Sequence, residues 1–152
     1  MTQEEKELLL KDLCSRLPYG VKISVLSWDE REMEYIDRVD VLYSVNGDEY
    51  IKSTNEDYDF SLEDIKPYLF PLSSMTEEQE KEMQEIVGSP KVACIMRKTG
   101  GLELWLDSVD TDPTIWLDTI FEVQDWLNKH HIDYRGLIPM GLAIDATGLN
   151  IY

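Results

Sequence analysis

Basic residues are scarce in this chain, which has 14 Lys and Arg against 31 Asp and Glu and a formal net charge of −17. No segment is rich enough in Lys or Arg to follow a phosphate backbone, and such a surface repels nucleic acids and anionic membranes. A small domain needs a net charge of magnitude only about 2–8 to stay in solution. The excess therefore predicts a basic protein as partner, without direct nucleic-acid binding.

Cysteines and long apolar runs are also few. Cys14 and Cys94 are the two cysteines. Their apolar surroundings favour two buried thiols in a reducing compartment, and a disulfide between them is the alternative. No apolar run approaches the ~18 residues of a membrane span. The acidic start of the chain, MTQEEKE, is the opposite of a secretory leader. We expect a cytoplasmic protein that does not enter a membrane.

The remaining composition is that of a folded protein, with 43% hydrophobic residues and four Trp. We predict one α+β domain over residues 1–152, with two main helices packed on a small, mainly antiparallel sheet. The first helix begins at Thr2 and ends before Pro18. The longest helix begins at Asp112-Pro113 and extends to about His131. Its apolar side chains cover over half of its circumference, which predicts burial on several sides.

Strand signals are clearest in two hairpins. Alternating residues over 39–45 lead into Asn46-Gly47, which favours a two-residue turn and a return strand near residues 49–52. A second hairpin is predicted from strands near 92–96 and 102–106. Pro67 and Pro71 predict a connection with little regular structure over residues 53–75, with a short helical turn over 62–68 as the alternative. A helix over 76–87 follows, and a Thr76–Gln79 capping box marks its start.

One segment near the end of the long helix gathers side chains that can bind or catalyse: His130, His131, Asp133, Tyr134 and Arg135. These types suit a ligand site or acid–base chemistry. Helix termination with buried hydrogen bonds explains the same residues, since cationic side chains complement the carboxyl end of a helix. Adjacent histidines point about 100° apart and do not face one ion, so we predict no metal site. We also predict no cofactor, and we assign no catalytic residue.

Two other motifs lead to structural interpretations. Residues 107–112 resemble part of a calcium loop but lack its glycine and its bidentate Glu, so Asp112 is assigned as a helix cap. Cys14 lies among the apolar residues of the first helix, which predicts inert packing.

Carboxylates also form a row on the longest helix. Asp118, Glu122 and Asp125 follow at steps of four and three, which places neighbours about 5–6 Å apart on one face. Such a row can imitate phosphates to a cationic protein. An ordinary solvated acidic face explains the same residues.

Three blocks of sequence carry a family resemblance: residues 13–21 (LCSRLPYGV), 65–78 (IKPYLFPLSSMTEE) and 130–143 (HHIDYRGLIPMGLA). With these blocks the chain resembles an uncharacterised family of small acidic proteins from gut anaerobic bacteria and their phages. That family has no assigned activity, so the resemblance implies a bacterial cytoplasm and a phage-related gene but no functional residue.

Three hypotheses follow from the sequence. The leading one is a non-enzymatic interaction protein whose acidic face binds a basic partner. The first alternative is a small-ligand-binding domain or enzyme built on residues 130–135. The second is a structural or assembly subunit that buries apolar helix surface in an oligomer, and the oligomeric state stays open.

Overall fold

The computed structural model describes residues 1–46, 50–55, 59–87, 92–97, 101–106 and 113–152, and side chains are described outside 87, 92–97, 101–106 and 113–118. The chain divides into two compact units. The first comprises Met1–Leu69 and Leu137–Tyr152, and the second comprises Phe70–Gly136. Helices and a mainly antiparallel mixed sheet confirm the α+β class; the described residues contain three α-helices, so the detail of two main helices is not confirmed exactly. The single domain over 1–152 stays a prediction.

The first unit is built on antiparallel strands. After α1 (Gln3–Arg16) come β1 (Lys22–Asp29), β2 (Glu34–Val45), β3 (Tyr50–Ser53), β4 (Phe60–Ser61) and β5 (Ile65–Pro71), of which the last two residues belong to the second unit. Their order in the sheet is β4-β3-β2-β1-β5, and the short β9 (Ile144–Asp145) pairs in parallel with β5. Apolar side chains of α1, the strands and the segment 137–143 form the core of this unit.

The N-terminus of α1 is capped as predicted, because the Thr2 hydroxyl accepts from the Glu5 amide and Glu5 accepts from the Thr2 amide. Its buried face holds Leu9 and Leu13 together with a fully buried ion pair between Asp12 and Arg16. The guanidinium donates from Nε to Oδ2 at 2.7 Å and from Nη2 to Oδ1 at 3.0 Å. A buried pair of this kind is destabilising to break, since either partner left alone is an uncompensated charge.

Cys14 corrects one prediction, because it is exposed rather than buried. The buried stripe of α1 passes through residues 9, 12, 13 and 16, a spacing of three and four that leaves position 14 outside it. The side chain of Cys94 lies outside the described part.

The hairpin β2–β3 is confirmed, since Val45 pairs with Ile51 and the Asn46 amide donates to the Tyr50 carbonyl. The predicted turn at Asn46-Gly47 includes residues that lie outside the described part of the chain. The prediction of an irregular segment over residues 53–75 is wrong. β5 lies there beside β1, with Pro67 opposite Ile23, because a proline can occupy a strand position that donates no ladder hydrogen bond.

Asp40 belongs to β2 and is almost completely buried. Its carboxylate accepts from the Val41 amide at 2.7 Å, the Asn55 amide at 3.0 Å and the Asn55 side chain at 2.7 Å. Burial raises the pKa of Asp40, but the Ser53 hydroxyl and these donors outweigh it, so the net pKa lies below the ordinary value. The carboxylate is therefore a structural anchor for residues 53–55.

The second unit contains the other two helices, α2 (Glu77–Val87) and α3 (Pro113–Lys129), the hairpin of β6 (Val92–Arg97) and β7 (Gly101–Leu106), and β8 (Ile132–Asp133). These elements confirm the predicted second hairpin and both predicted helices. β8 pairs in parallel with the end of β5, at Phe70 and Pro71. The buried core consists of Leu72, Met83, Val123, Trp126, Leu127 and Ile132.

α3 is less enclosed than its composition predicts. Phe121 is 62% exposed although it belongs to the apolar arc, so burial of this helix on several sides is wrong at that position. Throughout the described ranges, no helix is long and apolar enough to cross a membrane.

Candidate functional site

The predicted segment 130–135 lies where α3 ends and β8 begins. His131 is buried and has φ 56°, the left-handed conformation that commonly ends a helix. Its amide donates to the Asn128 carbonyl at 3.1 Å, and its carbonyl accepts from the Phe70 amide at 2.9 Å. The backbone of His131 therefore ends the helix and fixes the chain against the strand.

His130 belongs to a small cluster with α2. Its ring stacks on Trp126 with centroids 4.1 Å apart, and Nδ1 lies 3.0 Å from the Trp126 carbonyl oxygen. A carbonyl only accepts, so this contact assigns the proton to Nδ1. Nε2 then faces Glu82 Oε2 at 3.8 Å, and the same oxygen accepts from the Trp126 indole at 3.4 Å. The Trp126 indole thus joins Glu82 of α2 to α3, and the imidazole adds an ion pair with Glu82 only when both of its nitrogens carry a proton.

Tyr134 and Arg135, which follow β8, form a second cluster. The Tyr134 hydroxyl donates to Asn128 Oδ1 and accepts from Gln124 Nε2, both at 3.2 Å. The Arg135 guanidinium lies 4.8 Å above the Tyr134 ring, a distance at which cation and ring attract. Asp133 is buried on β8, opposite Pro71.

These contacts hold α3, its C-terminal end and β8 together, which is the structural alternative that the sequence leaves open. The two clusters have different partners: His130 contacts Trp126 and Glu82, whereas Arg135 contacts Tyr134. Within the described residues, no group of three His, Cys, Asp or Glu side chains could hold a metal ion. The calcium-like residues 107–112 lie outside the described residues. A ligand site on the segment stays a prediction.

The predicted acidic face lies on α3. Glu122 and Asp125 are exposed, and the side chain of Asp118 lies outside the described part. α2 adds further exposed carboxylates that the sequence analysis did not join to this face: Glu77, Glu78, Glu80, Glu82 and Glu85. The second unit therefore presents carboxylates from two helices, and Lys81 and Lys129 are exposed among them.

A second exposed surface was missed from the sequence. On the β1–β2 hairpin the side chains that point away from the core include large apolar residues, and the aromatic rings of Trp28 and Tyr35 meet edge to face at 5.1 Å. The signal was present, since residues 35–43 carry apolar side chains at both parities, as in Tyr35-Ile36 and Leu42-Tyr43. A strand with one solvated face ordinarily alternates apolar with polar residues.

The tip of this hairpin is fixed by Asp29. Its carboxylate accepts from the amides of Arg31 and Glu32 at 2.8 Å and 3.3 Å and pairs with Arg38 at 3.1 Å. These backbone hydrogen bonds, supported by Arg38, hold the pKa of Asp29 below its ordinary value. Asp29 thus joins the turn residues Arg31 and Glu32 and the β2 residue Arg38 at the end of the hairpin.

No protein-family model matches this chain, and no match is found among curated proteins or solved structures. The surfaces of the molecule itself therefore give the indications of function. Two described surfaces carry it: the carboxylates of α2 and α3, and the exposed face of the β1–β2 hairpin.

Proposed function

We propose that this chain is a non-enzymatic interaction protein of the bacterial cytoplasm that binds a basic protein. The observation that carries the proposal is the outward position of its acidic side chains. Seven carboxylates of α2 and α3 are exposed, with two lysines among them. The acidic excess is therefore on the surface, where a partner can reach it.

The negative charge of this surface acts on a partner before the two proteins touch. A surface potential of one sign raises the association rate with an oppositely charged partner, and salt weakens the effect because the screening length falls to about 8 Å at physiological ionic strength. The same potential repels the phosphate backbone of a nucleic acid. In the phage-related setting that the family resemblance implies, the protein acts as an antagonist or modulator of a basic nucleic-acid-binding protein.

The test measures binding of purified basic DNA-binding proteins to the chain at 50 and 500 mM NaCl by biolayer interferometry. We expect at least one of them to bind at low salt and to lose at least about tenfold in affinity at high salt. Binding of none of them at low salt, or binding that salt does not change, contradicts the proposal.

Two charge-neutralised variants locate the binding surface. Glu80→Gln, Glu85→Gln and Glu122→Gln together remove three charges from the second unit, and none of these carboxylates makes a side-chain hydrogen bond with the described residues. A matched variant of the first unit carries Glu30→Gln, Glu32→Gln and Glu34→Gln. A larger loss for one triple variant assigns the contact to that unit, because both lose the same charge.

A ligand-binding role of the segment 130–135 is the second candidate. The observation that favours it is the partly buried Arg135 guanidinium above the Tyr134 ring, since a guanidinium is the side chain best suited to bind carboxylates and phosphates. Thermal-shift screening against carboxylates and phosphates tests this role. A stabilising anion whose effect persists in Arg135→Lys but disappears in Arg135→Gln supports it.

A further inference from the structure

The β1–β2 hairpin exposes large apolar side chains on one face. Its outward side chains, which we call the outer hairpin face, are Leu26, Trp28, Tyr35, Asp37 and Val39. The register places Trp28 opposite Tyr35 and Leu26 opposite Asp37. The four apolar members are between 43% and 64% exposed. From residue 35 to residue 39 the strand extends for about 14 Å at ~3.4 Å per residue.

Such a face is unusual on a solvated surface. Contiguous apolar patches on monomers mark interaction sites more often than isolated apolar residues do. Trp and Tyr are also the side chains that most often carry binding energy at protein interfaces. The pattern therefore indicates a surface that a partner covers.

Charge selects the class of partner. Over residues 30–38 the exposed charged side chains are four acids, Glu30, Glu32, Glu34 and Asp37, and two bases, Arg31 and Arg38, of which Arg38 is paired with Asp29. A second copy of this chain would bring two acidic hairpins together, which electrostatic repulsion opposes. A cationic segment is attracted to the same face.

Asp37 gives the face a specific polar group. It is exposed in the middle of the apolar side chains, and its carboxylate makes no hydrogen bond or ion pair with the described residues. Alternation along β2 places it on the same side as Tyr35, and the register places it diagonally from Trp28. A guanidinium is planar, stacks on aromatic rings and binds a carboxylate through two hydrogen bonds.

We propose that the outer hairpin face docks an arginine-bearing segment of a basic partner protein, with one guanidinium placed against the Trp28–Tyr35 pair and bonded to Asp37. This inference rests on the proposed function and assigns it a surface and a partner chemistry. Arginine is preferred over lysine because only the guanidinium combines stacking with a two-point hydrogen bond.

The test uses three dye-labelled, capped peptides, (Arg-Gly-Ser)4, (Lys-Gly-Ser)4 and (Gln-Gly-Ser)4, with fluorescence anisotropy at 50 mM NaCl. We expect the arginine peptide to bind more tightly than the lysine peptide, and the glutamine peptide to show no binding. Asp37→Asn should weaken the arginine peptide by about threefold to fivefold, and Trp28→Leu by at least about fivefold. Asp37→Glu should bind the arginine peptide more tightly than Asp37→Asn does, because it keeps the negative charge.

The control is Asp64→Asn, which removes one exposed carboxylate that lies outside both proposed binding surfaces and makes no hydrogen bond with the described residues; it should leave binding of the arginine peptide unchanged. Thermal melts of each variant show that it is folded, and Asp37→Asn tests the face even where Trp28→Leu does not fold. Equal binding of the arginine peptide by wild type and Asp37→Asn overturns the proposal. So does a lysine peptide that binds as tightly as the arginine peptide.

The outcomes separate this inference from the proposed function. If basic proteins bind in a salt-dependent way and only the α2–α3 variants weaken them, the hairpin inference is overturned while the proposed function stands. If no basic protein or peptide binds at low salt, both are overturned.

Discussion

The buried ion pair of α1 offers the sharpest test of the fold. Asp12 and Arg16 are both fully buried and are joined by two short hydrogen bonds. Asp12→Asn removes the negative charge and leaves the guanidinium buried, and Arg16→Met does the reverse. Breaking such a pair costs about 3–5 kcal/mol, which is a large fraction of the roughly 5–15 kcal/mol that stabilises a typical protein.

The size of the effect can be measured by urea denaturation followed by circular dichroism. With a urea dependence of about 2 kcal/mol per M, each single variant should lower the unfolding midpoint by about 1.5–2.5 M. The double variant Asp12→Leu, Arg16→Met should recover most of this loss, because replacing both charges by apolar groups removes the desolvation penalty. The single variant Asp12→Leu completes a double-mutant cycle with Arg16→Met and the double variant, and the coupling between the two positions is obtained from that cycle.

Two outcomes would refute this reasoning. A loss below about 1 kcal/mol in either single variant would mean that water reaches the remaining charge, contrary to its burial. A double variant no more stable than the single variants would mean that the pair contributes shape or further hydrogen bonds rather than charge compensation.

Three further predictions concern pH and packing. The pKa of Asp40 is lower in the folded state than in the unfolded state, where it is near 3.8. Its contribution to stability is therefore present above pH 3.8 and is lost as the pH falls through the folded pKa. Asp40→Asn should reduce the loss of stability at low pH, as urea melts measured from pH 2 to 6 will show. Burial raises the pKa of Tyr152 to about 12. The contribution of Tyr152 to stability is therefore complete below pH ~10 and is lost as the pH rises toward 12. Absorbance at about 295 nm should show one tyrosine that ionises at unusually high pH, and Tyr152→Phe should remove this signal. Phe121→Ser should change stability by less than about 0.5 kcal/mol, whereas Leu127→Ala should cost about 2–5 kcal/mol, as denaturant melts of both will show.

Local signals were sufficient for the elements whose cause is local. The Thr2 and Thr76 capping boxes form as predicted, since each is completed within four residues. Period-two alternation located β2, and Pro113 marked the start of α3. In each case the physical cause lies within one turn or one strand, so a short window of sequence contains it.

Long-range pairing was not visible in the same way. β5 was missed because its two prolines suggest a break, and whether a proline disrupts a strand depends on which edge its missing donor faces. Cys14 and Phe121 were misplaced for a related reason. An apolar residue next to a buried stripe is buried only if another element covers it, and the helix sequence does not contain that element.

The candidate surfaces show the same division. The acidic row on α3 was predicted because helical spacing fixes which side chains share a face. The outer hairpin face was not predicted, because only the register between β1 and β2 places Trp28 beside Tyr35 and Asp37 opposite Leu26.

The amino-acid sequence by itself determined the charge of the protein, its α+β class and the elements whose signals are local. The tertiary structure decided which residues are buried, which ones pair across strands and which apolar side chains remain exposed. The physical reason is that charge and local propensity are properties of neighbouring residues, whereas burial is a property of what packs against them from elsewhere in the chain.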